Sequence, residues 1–152
     1  MYHLFQKWRQ RRALVAGATS AADDIRVGWP KIRALFASER TVFVGPVGAN
    51  ARLTPQFEIL CLIAVQGNDD ELLANCEDDD PVVAAYCCEA LFRCGSDRLQ
   101  TAVRDVERRR DKITSACGSS PHRTTLGEFA SGLLELATRD GGESQEYDGA
   151  RS

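Results

Sequence analysis

The sequence predicts an all-α fold, a short α-solenoid of stacked antiparallel helix pairs, and three observations predict it. Residues 78–95 spell a complete helix with both ends specified: Asp79 or Asp80 as cap, Pro81 at the first helical position, Gly95 as the left-handed stop. Apolar residues recur with a helical period around it, over 54–66, 69–77, 97–111 and 125–138, with short connections between most of them. The one β-like stretch, residues 41–48, carries Gly45, Pro46 and Gly48, which a central strand does not accept, so it reads as an extended loop packed on a helix.

Taken in order, residues 1–20 form a basic arm, 21–139 the helical domain and 140–152 a polar, glycine-rich disordered tail. From Ala21 a helical period places Ile25, Trp29, Ile32, Leu35 and Phe36 on one face, and Pro30 restarts the helix at its first position. Thr54 caps and Pro55 opens a helix that is apolar nearly all round from Phe57 to Val65, so it is sandwiched between neighbours. Gly67 ends it, and Asn68 or Asp69 caps a short helix carrying Leu72, Leu73 and Cys76. In the helix 81–94, Val83, Cys87, Ala90, Leu91 and Cys94 fall within about 100° of arc and form its core stripe. Ser96-Asp97 starts the next helix, with Leu99, Ala102, Val103 and Val106 inward and Arg98, Arg104, Glu107 and Arg108 outward. Residues 112–124 read as the longest break of the second half. Thr125 and Glu128 then make a capping box for the last helix, whose buried face carries Leu126, Phe129, Ala130, Leu133, Leu134 and Ala137.

Composition bounds the class. At 152 residues, 43% hydrophobic and 27% charged, the chain can bury a core and is not wholly disordered. A net charge of −3 gives no global attraction to nucleic acid or anionic lipid, and no run approaches the roughly 18 apolar residues of a membrane span. The order basic, apolar, small over residues 7–21 imitates an export signal, but glycine, threonine and serine dilute its short apolar part. A cytoplasmic chain is the expectation, export through this weak signal the alternative. Of the six cysteines, Cys61, Cys87 and Cys94 lie on apolar helical faces, and no C-x-x-C occurs. They are expected as reduced structural thiols, with a disulfide of Cys88 or Cys117 as the alternative.

The order Val83, Cys87-Cys88, Ala90-Leu91 after an acidic, proline-bearing turn resembles the second helix of a HEAT-type repeat. The resemblance covers residues 54–138 and is close over 78–95 only. Ala84 stands where that family carries an arginine of its inter-repeat ladder. The stretch from Cys117-Gly118-Ser119-Ser120 to Thr125-Leu126-Gly127-Glu128-Phe129 is similar to bacterial HEAT-like proteins. The resemblance implies a short HEAT-like solenoid whose ridge or groove docks a protein partner, in a scaffold or immunity-type role.

No residue pattern calls for catalysis, a cofactor or a metal. Cys117 and His122, five apart in a Ser/Gly/Pro loop, lack the third group that activates a thiolate. The thiols and two histidines lack ligand spacing, and the acidic run lacks the glycine and distal glutamate of a calcium loop. Gly45 to Gly48 is no phosphate loop, since no lysine completes it. The expected contact surface for a protein partner is the acidic turn, Asp69, Asp70, Asp78 and Asp79, together with Tyr86, which flanks the core stripe of the helix 81–94. The alternative is nucleic-acid binding through Arg104, Arg108, Arg109 and Lys112, which then converge with Arg9, Arg11 and Arg12.

Overall fold

The all-α solenoid is overturned by a sheet. A computed structural model describes residues 28–66 and 68–150, which form six helices and one three-stranded mixed sheet, an α/β arrangement. The elements are α1 (Trp29–Ala37), β1 (Thr41–Val47), α2 (Pro55–Gln66), α3 (Asp69–Asn75), α4 (Pro81–Arg93), α5 (Leu99–Val106), β2 (Lys112–Gly118), β3 (Ser120–Thr125) and α6 (Leu126–Ala150). The basic arm with Arg9, Arg11 and Arg12, the position of Ile25, and Gly67 lie outside the described residues.

Two stretches read as loops are strands. β1 is an edge strand of the order β1-β2-β3, where a proline is tolerated, and its pairing with β2 slips between Phe43 and Val47, around Gly45 and Pro46. It runs parallel to β2, and the crossover between them carries α2 to α5. β2 and β3 form an antiparallel hairpin in which Cys117 faces Ser120 across a two-residue turn. Gly118, at φ 72°, supplies the positive φ that the first central position of such a turn requires. Ile113 and Ser115 are buried while Lys112 is exposed, so one face of the hairpin looks into the core.

The starts of α2, α3, α4 and α6 and the end of α4 follow the sequence, whereas α5 stops at Val106, short of the expected residue 111. Thr54 accepts the Phe57 amide at 3.1 Å, and Asn68 accepts those of Asp70 and Glu71. Asp80 accepts the Val82 amide at 2.9 Å, ahead of Pro81, and Gly95 takes φ 69°. The Thr125–Glu128 capping box closes in both directions. α6 continues to Ala150, past residue 138, where the sequence predicts its end.

α4 is the centre of the molecule. It packs against α1, α2, α3, α5, α6, β1 and β2. Every residue from Val82 to Leu91 is buried, so the single stripe predicted for it understates its burial. Ala84, Ala85, Cys87, Cys88 and Ala90 keep the helix slim enough for neighbours on all sides. α2 is buried from Gln56 to Ala64 except at Glu58, as its nearly all-round apolar sequence requires. The inward residues predicted for α5 are all buried, and Arg104, Glu107 and Arg108 are exposed.

Candidate functional site

The turn before α4 was expected to offer carboxylates to a partner, but the structure turns much of it inward. Arg33 grips Asp78 with two bonds, Nε to Oδ2 at 2.6 Å and Nη2 to Oδ1 at 2.8 Å. Asp78 Oδ1 also accepts the Asp80 amide at 2.9 Å, and Asp80 in turn pairs with Arg40 at 2.8 Å. From the other side Arg109 donates to the backbone oxygens of Asp78 and Asp79. Asp69 accepts the hydroxyl of Ser96, and Asp70 pairs with Arg98 at 3.1 Å. Among the expected contact residues, Asp70 and Asp79 remain exposed.

The hydrogen bonds from Arg33, partly offset by burial, hold the Asp78 carboxyl below the usual aspartate range. A carboxylate depressed in the folded state stabilises the fold above its unfolded pKa, near pH 4, and that contribution is lost as pH falls through the lower folded value. Asp78→Asn is therefore expected to flatten the acid limb of a urea midpoint measured from about pH 5 down to about pH 2. An unchanged limb would show that Asp78 does not couple folding to protons.

Tyr86 is withdrawn from any contact surface. It is 0% exposed, stacks on Phe36 with ring centroids 4.1 Å apart, and its hydroxyl accepts the Phe43 amide at 2.8 Å and donates to the Thr41 oxygen at 3.3 Å. The reading of Tyr86 as flanking a stripe failed because α4 has neighbours on every side. Farther along α4, Arg93 pairs with the buried Glu89 at 2.7 Å, lies 5.3 Å over the Phe57 ring, and donates to the Val44 oxygen. Burial pushes the Glu89 carboxyl up, while Arg93 pulls it back. Tyr86 and Arg93 thus occupy backbone groups along the outer edge of β1, closing that side of the sheet with side chains.

The basic run is divided. Arg104 and Arg108 are exposed on and just after α5, Arg109 is half-buried and engaged with the acidic turn and Asp111, and Lys112 opens β2. Lys112 instead meets residues of the hairpin. It lines a cleft of about 540 Å³ at the foot of the hairpin, together with Arg40, Thr114, Arg123, Thr125 and Glu128. Arg40 is paired with Asp80, and Glu128 is held by Thr124 and Thr125, bonds that keep its carboxyl below the usual range. Lys112 and Arg123 are exposed and, among the described residues, form no ion pair. The signal that could have found Arg123 is the alternation through Ile113 and Ser115 followed by a Gly-Ser turn, which makes Arg123 a strand residue facing outward with Lys112.

Cys117 and His122 lie on opposite strands of the hairpin, two residues out of register, and among the described residues no hydrogen bond joins them. All six cysteines are unbridged, and the Sγ atoms of Cys76 and Cys88 stand 3.8 Å apart in the core. Contact with Cys87 together with burial pushes the Cys76 thiol up, and contact with Cys76 together with burial does the same to Cys88, so neither is a ready nucleophile. Among the described residues no group of three or more His, Cys, Asp or Glu is placed to hold a metal ion, and no helix is long and apolar enough to cross a membrane. In comparisons with protein-family models, curated proteins and solved structures, nothing matches this chain.

Proposed function

We propose that this chain is a non-enzymatic protein-interaction module of the cytoplasm, and that it docks an acidic partner protein on the outer face of the β2–β3 hairpin and the adjoining cleft. The observation that carries the reading is the pairing of Lys112 and Arg123 on one exposed face, with no carboxylate spent on either among the described residues. Unpaired cations on a rigid hairpin attract and orient an opposite charge without having to break a bond first. The clasp around Asp78 supports the same choice, because it spends that carboxylate on Arg33 within the chain. The six unbridged thiols agree with a reducing compartment.

The test uses poly-glutamate and a short DNA duplex as probes at about 50 and about 200 mM salt, where phosphate contacts show a steep salt dependence. Poly-glutamate is expected to bind, and the double variant Lys112→Glu, Arg123→Glu to weaken it about tenfold or more, equivalent to about 1.4 kcal/mol. Asp79→Lys is expected to leave binding by the hairpin in place. Binding of the duplex in preference to poly-glutamate would hand the site to nucleic acid, and binding of neither would end the proposal.

A further inference from the structure

The two edges of the sheet are treated differently. On β1, the Phe43 amide and the Thr41 and Val44 oxygens are taken by Tyr86 and Arg93 of α4. On β3, no helix or strand among the described residues takes the corresponding groups. Which groups these are follows from the register. The Leu126 amide donates to the Asp111 oxygen at 2.9 Å, so the residues paired two by two from there, Thr124 with Ile113 and His122 with Ser115, point their backbone at β2. Pro121, Arg123 and Thr125 therefore point their backbone outward.

That outward row is guarded at both ends. Pro121 has no N–H, and the Thr125 amide is accepted by Glu128 of the capping box. What remains in the middle is the N–H and C=O of Arg123, with the C=O of Pro121 beside it. This window is too short to continue a sheet, yet it offers one full pair of antiparallel bonds and a third on its flank. The Arg123 side chain stands on the outer face of the hairpin, as do Thr125 and its cross-strand partner Lys112.

We propose that this window takes an extended acidic segment of a partner protein as a fourth strand, antiparallel to β3 and centred opposite Arg123, with carboxylates at alternate positions over Arg123 and Lys112. The inference rests on the function proposed above and adds the conformation and residue spacing of what is bound. The occupant is argued from charge. A strand places every second side chain on one face, so alternating carboxylates all meet the face that carries both unpaired cations, whereas clustered ones put half their charge toward the core side. Main-chain bonds then supply part of the affinity and the charge spacing selects the segment.

The test compares three acetylated, amidated peptides against the full chain. The first is Thr-Glu-Val-Glu-Val-Glu-Thr, the second has the same composition in the order Glu-Glu-Glu-Thr-Val-Val-Thr, and the third is the first with its central glutamate amide methylated. The alternating peptide is expected to bind about tenfold tighter than the other two, and Arg123→Glu to abolish the difference. The Arg123 amide is expected to exchange hydrogen rapidly in the free chain and to become protected with the alternating peptide. Equal binding of all three peptides, lost together in the Lys112→Glu, Arg123→Glu variant, would overturn strand addition while leaving the acidic-partner reading intact. No binding of any peptide would overturn both. Protection of the Arg123 amide before peptide is added would also overturn the proposal: protection that grows with protein concentration would assign the edge to a second copy of the chain, and protection independent of concentration to a segment of the chain itself.

Discussion

Tyr86→Ala is expected to cost about 5 kcal/mol, because three effects fall on one side chain. Removing a fully buried aromatic ring costs about 3–5 kcal/mol from lost transfer energy and the cavity left behind. The stacked partner Phe36 loses its ring contact at the same time. The Phe43 amide and the Thr41 oxygen, both turned toward α4 and away from β2, lose the hydroxyl that occupied them. Since a domain of this kind has about 5–15 kcal/mol in total, Tyr86→Ala leaves it near the threshold of folding. Tyr86→Phe is the variant that isolates the hydroxyl. It keeps the ring and is expected to cost about 2 kcal/mol, the penalty of leaving the part-buried Phe43 amide and Thr41 oxygen without their partner. Burial pushes the Tyr86 phenol up, so it stays protonated across the neutral range and the comparison is free of titration. The measurement is the urea midpoint of each variant, with hydrogen exchange at Phe43. A Tyr86→Phe midpoint equal to the parent's would mean that the hydroxyl does not hold the β1 edge.

How much of this was legible differs from element to element. The caps and starts of α2, α3, α4 and α6 were readable because capping is a local exchange between a side chain and the next three amides, all within one stretch of sequence. The inward face of α5 was readable for a similar reason: one side packs, the other is wet, and the period shows it. α4 exposes the limit of periodicity. A helix wrapped on all sides has no wet face to contrast, so Tyr86 looked like a flank when it was a core residue. The strands were misread because their signals are split between distant parts of the chain. β1 carries Gly45 and Pro46, with Gly48 just past its end, which exclude a central strand but not an edge one, and only β2, some 70 residues later, gives it a partner. The hairpin had its own evidence in Ile113, Ser115 and the Gly118-Ser119 turn, but His122, Pro121 and the run of small polar residues hid the alternation. Missing the hairpin meant missing Arg123 as a strand residue, and with it the cleft that Lys112 shares.

Gly127→Ala is expected to cost about 3 kcal/mol, although it adds one methyl group to a helix. Gly127 is buried at the corner where β3 turns into α6, and its amide donates to the Arg109 oxygen at 3.0 Å. A Cβ there would lie 2.3 Å from the Glu107 oxygen, 2.9 Å from the Glu107 carbonyl carbon and 3.1 Å from the Arg109 oxygen. All three are backbone atoms, so no side-chain rotation relieves the clash, and either the start of α6 or the end of α5 must move. Movement at either place reaches further than the corner. The Arg109 segment also brings the guanidinium that braces the Asp78 and Asp79 oxygens, and the neighbouring Leu126 amide fixes the first pair of the hairpin ladder through Asp111. Gly132 is the internal control. It lies in the same helix, and a Cβ there meets nothing within 4 Å, so Gly132→Ala is expected to stabilise the chain by about 0.5–1 kcal/mol through helix propensity. Two Gly→Ala changes of opposite sign in one helix separate backbone contact from intrinsic preference, since the second effect is common to both. A neutral or stabilising Gly127→Ala, read from the same urea midpoints, would mean that α6 does not cross the end of α5 at this distance, and the hairpin and its exposed cations would then have no fixed relation to the acidic turn.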